Sequence, residues 1–184
     1  MFIKIPKLEA VLKKAYKGAG IHIERRGDRL ALRTGRLYIE VDIENASKDF
    51  KAAVVRYTGD IPPEGFAAVI SEDNTQMGLD GTIDLCLIHI DTYQGKLFEQ
   101  TLFNYVDEKV LQSPVDNQIV TVPLKEWLVY CPEAVEPNEE QPESDFNLYD
   151  NLLVTRNETM VLGFLPKEAD DILAELTNIG ARML

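Results

Sequence analysis

Apolar side chains recur along this chain at two spacings, and the switch between them separates helices from strands. Leu8, Val11, Leu12 and Ala15 follow Pro6 at i, i+3, i+4 and i+7, so they share one face of an amphipathic helix. Gly18 and Gly20 supply the left-handed stop that other residues resist. The period then drops to two. Residues 21–26, 29–34 and 36–43 read as three strands of an antiparallel meander, separated by Gly27-Asp28 and Gly35. In the third, Leu37, Ile39, Val41 and Ile43 alternate with Tyr38, Glu40, Asp42 and Glu44, which predicts one face on a core and the other in water.

The helical spacing returns behind Ser47 in Phe50, Ala53, Val54 and Tyr57, with Gly59 as its stop and Pro62-Pro63 preventing its return. Residues 66–70 read as a strand. Residues 71–81 have turn composition throughout, so a boundary between lobes at 1–70 and 82–184 is one organisation and a single domain over 1–184 is the other. Residues 83–90 are apolar on both parities apart from Asp84 and His89, the pattern of a central strand covered on both faces. Residues 97–103, 118–122 and 126–130 are further strand-like pieces, and 152–156 with 160–165 make a hairpin around Asn157-Glu158-Thr159. Pro166 is placed to open a last helix carrying Ala169, Ile172, Leu173 and Leu176, with Gly180 as its stop. The expected fold class is therefore α+β: an antiparallel sheet, meander plus hairpins, flanked by three amphipathic helices.

Charge changes this picture at two places. Residues 132–145 hold three prolines, six acidic residues and no basic one, so self-repulsion and missing donors predict a mobile acidic loop. Across the 184 residues the formal charge is −12, yet residues 1–36 carry ten lysines and arginines against Glu9, Glu24 and Asp28, a balance of +7. Such polarity steers partners by field without determining fold. The arginines Arg25, Arg26, Arg29, Arg33 and Arg36 crowd the meander near the lysines of the first helix. Converged on one face they would contact phosphates, and paired with carboxylates they would be neutralised.

Candidate chemistry is sparse. His89 and Asp91 share a strand face and could form an oriented base at a strand end, although a His-x-Asp pair serves structure more often than catalysis. No nucleophile elbow, phosphate loop or dinucleotide fingerprint occurs, and the acidic positions around Asp73, Asp80 and Asp84 lack calcium-loop order. Neither a metal nor a cofactor is expected. Cys86 and Cys131 are too far apart for a zinc knuckle and read as reduced thiols. With no apolar run near ~18 residues and no signal-peptide pattern at the start, a cytoplasmic protein away from membranes is expected. These observations favour a non-catalytic protein-binding or adaptor module whose partner is another protein. The alternatives are an enzyme built around His89 and Asp91, a nucleic-acid binder using the basic segment, and an acidic nucleic-acid mimic. Edge strands leave monomer and homodimer both open.

Overall fold

A computed structural model describes residues 1–77, 95–149 and 151–169. Its centre is a 12-stranded antiparallel sheet backed on one face by helices. Helix α1 (Ile5–Tyr16) buries Leu8, Val11 and Leu12, and Lys4 anchors its start by donating its backbone N–H to Val129 O at 2.8 Å. Gly20, at φ +94°, closes the helix with an N–H bond to Ala15 O. A Cβ there would lie 2.7 Å from the Val69 side chain, so both the dihedral and the packing require glycine. Strands β1 (Ile21–Arg26), β2 (Arg29–Arg33) and β3 (Leu37–Asp42) form the expected meander. Helix α2 (Lys48–Thr58) begins where Ser47 accepts the Phe50 N–H and ends at Gly59, φ +80°. Strands β4 (Ala67–Ile70) and β5 (Thr75–Met77) then extend the sheet beyond β1.

The other wing contains β6 (Lys96–Tyr105), β7 (Glu108–Gln112), β8 (Ile119–Pro123), β9 (Phe146–Tyr149), β10 (Leu152–Arg156), β11 (Met160–Phe164) and the two-residue β12 (Lys167–Glu168). Strand order is β12-β8-β7-β6-β9-β10-β11-β3-β2-β1-β4-β5, so the β10–β11 hairpin lies directly beside β3. The main core lies between the sheet and the helices, and it joins Leu8, Phe50 and Ile39 to Phe98, Phe146 and Leu162. An aromatic group supports its far end: Trp127 sits 5.2 Å from Phe146, 5.4 Å from Phe164 and 5.5 Å from Tyr130, measured between ring centroids.

Four expectations are corrected. Residues 126–130 do not form a strand: Leu124–Trp127 is a short helix, α3, after which Tyr130 makes one bridge to Ile3. Turning the chain into α3 puts Trp127 into the core. Pro166 does not open a helix at once, because Lys167 and Glu168 pair with Thr121 and Val120 of β8; residues 170–184, where the rest of that helix was expected, lie outside the described residues. Part of 71–81 is strand, since β5 pairs with β4. Finally, β3 is not half-exposed. Tyr38 and Glu40 are 2% and 1% exposed, because Ala31 of β2 and Val161 of β11 flank Glu40 and a second apolar cluster of Ala31, Tyr38, Val154 and Val161 covers this face. The expected central strand at 83–90 lies outside the described residues.

The acidic segment follows the surface of β10. After a 3-10 turn at Pro132–Ala134, Glu139 pairs with the N-terminal ammonium and Glu143 N–H donates to Arg156 O at 2.9 Å. The Asn157 side-chain amide donates to Glu140 O and the Thr155 hydroxyl to Glu143 O, at 2.9 and 2.8 Å.

Candidate functional site

The five arginines of the N-terminal third are distributed over the meander. Arg25 shares the parity of Ile21 and Ile23 and works as a clip, its guanidinium donating to Pro62 O at 2.8 Å and to Gly27 O at 3.1 Å. Arg26, Arg29 and Arg33 occupy the opposite sheet face, away from α1 and α2. Carboxylates interleave with them there: Arg26 Nε pairs with Glu24 Oε1, Arg29 stands opposite Asp42, and Glu24 and Glu40 flank Ala31 on the neighbouring strands. Arg36 sits just before β3, where its carbonyl accepts the Leu165 N–H at 2.9 Å. One Nη atom each of Arg29 and Arg36 is buried without an acceptor among the described residues.

This face is buried at Tyr38 and Glu40 and exposed at Arg26 and Arg33. The Tyr38 hydroxyl donates to Glu40 Oε2 at 2.5 Å, holding the carboxylate at the centre of the sheet. His22, opposite Arg33, is half-buried. Burial, with the Arg33 charge second, pushes its imidazole below the usual histidine range. Both causes favour the neutral ring. His89 and Asp91 lie outside the described residues, as does Cys86. Cys131 is half-buried, and burial and Glu133 push its thiol up, the wrong direction for a nucleophile. Among the described residues no group of three or more His, Cys, Asp or Glu is placed to hold a metal ion.

A second feature was not anticipated. Strand β6 pairs with β9 only over Lys96–Phe98; beyond that it pairs with β7 alone, and its register shifts between Gln100 and Asn104. The bulge is held at three points. The Thr101 hydroxyl donates to Val110 O at 2.8 Å and accepts the Phe103 N–H at 3.2 Å, while Lys109 Nζ donates to Thr101 O at 2.5 Å and sits 5.7 Å over the Trp127 ring. Asp107 O accepts the Leu124 N–H at 2.7 Å, tying the turn to α3. Outside this brace Leu102 is 100% exposed, Val106 79%, Phe103 66% and Tyr105 36%. Val106 adopts φ +53°, a left-handed conformation unfavourable for a β-branched side chain. The sequence did carry one signal: Leu102-Phe103 and Tyr105-Val106 are adjacent apolar pairs, and neighbours on a strand cannot both face one core.

No protein-family profile, curated protein or solved structure matches this chain. No helix among the described residues is long and apolar enough to cross a membrane.

Proposed function

We propose that this protein is a protein-binding or adaptor module that inserts the β6–β7 hairpin tip into an apolar pocket with a basic rim on a different protein. The observation that supports this reading is the braced bulge presenting Leu102 and Phe103 to solvent. Burying each of these side chains would contribute about 1.5–3 kcal/mol, and a preformed bulge lowers the ordering cost of association. Charge selects the partner. Exposed Glu99 and Asp107 border the tip, whereas Lys109 is turned onto Thr101 and Trp127 and Lys167 is paired with Glu108. An isologous contact between two copies would set these carboxylates against their own images, and an anionic bilayer would repel them.

A photo-crosslinking residue at Phe103, compared with one at exposed Lys48 on α2, tests the proposal. The expected result is one adduct specific to position 103, suppressed by excess unlabelled wild-type protein and unaffected by excess L102D/F103D. Identical adducts at both positions, or equal competition by the double variant, would overturn it. Co-flotation with lipid vesicles or dimerisation through the tip would replace the proposed partner by a membrane or a second copy.

A further inference from the structure

The outer side of α1 carries two lysines, Lys13 and Lys17, that no carboxylate of the described residues pairs with. A groove of about 520 Å3 between α1 and α2 is lined by Glu9, Lys13, Tyr16, Lys17, Arg56 and Tyr57, together with smaller neighbours. Glu9 is the sole carboxylate among these residues, and it is already engaged by Arg56 Nη1 at 2.9 Å. Lys13 and Lys17, one helical turn apart and both exposed, form no ion pair among the described residues, although the chain holds 31 acidic residues against 19 lysines and arginines. The aromatic floor is the Tyr16–Tyr57 pair, with ring centroids 5.1 Å apart and planes tilted by 47°. The turn after β4 meets the end of α1 at Tyr16 O through the Glu72 N–H, closing one end of the helix.

We propose that this groove binds a small phosphorylated ligand with a planar ring, of the nucleoside monophosphate class. Lys13 and Lys17 supply flexible point charges for the phosphate, and Arg56, held by Glu9, supplies further N–H donors in a fixed plane. The tyrosine pair supplies the stacking surface. Size follows from the field: at physiological salt, charges are felt over ~8 Å, so a small anion experiences mainly the local cations. A long polyanion would also have to lie across the surface of a −12 chain. Burial pushes the Tyr57 phenol up, Arg56 opposing, so its hydroxyl remains a donor at neutral pH. The competing account assigns the lysines to the negative end of the α1 dipole. That role involves no ligand.

Calorimetric titration of the full chain with adenosine monophosphate and with inorganic phosphate separates the two accounts. The nucleotide should bind more tightly than phosphate, raised salt should weaken both, and K13Q/K17Q should weaken both by about tenfold or more. L102D should leave binding unchanged, which keeps this site separable from the hairpin. Absence of heat with a folded protein, or equal affinity in wild type and K13Q/K17Q, would overturn the site. Equal affinity for nucleotide and phosphate would overturn the role of the tyrosines.

Discussion

The β2–β3 and β6–β7 hairpins are written in the same local code and end in opposite environments. Both are antiparallel, both have short turns, and both carry large apolar residues on both parities. Strand β3 lies between β2 and β11, so even Tyr38 and Glu40 are buried. Strand β6 loses its second neighbour after Phe98, and Leu102 and Phe103 face solvent. Burial is therefore a property of the neighbours a strand acquires, and the exposed apolar tip of β6 is the feature on which the proposed partner site rests.

The largest expected effect comes from removing one large apolar side chain from the buried sheet beside β3 and one from the exposed tip of β6. Phe164, fully buried against Trp127 and Phe146, should cost about 3–5 kcal/mol on replacement by Ala, whereas Leu102→Ala should change stability by less than about 0.5 kcal/mol. Urea unfolding measures both. A Leu102 variant as destabilised as the Phe164 variant would show that the hairpin tip belongs to the core.

A smaller effect is expected at the turn. Val106→Gly relieves the φ +53° strain and should raise stability by about 0.5–1 kcal/mol while weakening partner capture. Lower stability in this variant would mean that Val106 packs instead of straining.

The smallest effect lies on the charged face. Because burial and Arg33 lower the folded-state pKa of His22 below its ordinary 6.5, the native state favours the neutral ring. Its contribution is fully present above pH 6.5 and is lost as pH falls from there towards the lower folded value. Comparing urea midpoints of wild type and His22→Gln between about pH 7 and pH 5.5 checks the sign, and the variant should show the shallower decline. Parallel declines would place His22 in solvent.

Much of the fold was legible in the residues. Helix α1 followed from Leu8, Val11 and Leu12 behind Pro6, and α2 from Ser47 as cap and Gly59 as stop, because each signal is local and chemically specific. Strand β7 and strand β9 were not read, since Glu108–Gln112 and Phe146–Tyr149 are short and lie beside acidic or turn-rich sequence. Residues 126–130 have a strand-like composition, and Leu124–Trp127 is too short to display a helical period. Of the candidate sites, the arginines were visible but their interleaving with Glu24, Glu40 and Asp42 was not, because it depends on strand register.

What the sequence by itself determined is the set of elements with local signatures: two amphipathic helices with start and stop residues, a meander with glycine turns, and the excess of positive charge at the start of the chain. The tertiary structure decided which surfaces those elements conceal. Glu40 is buried because Val161, some 120 residues later, arrives beside it, and Leu102 is exposed because β9 stops short of it. Cross-strand neighbours decide which strand positions are covered, and they join residues whose separation along the chain leaves no local pattern to read.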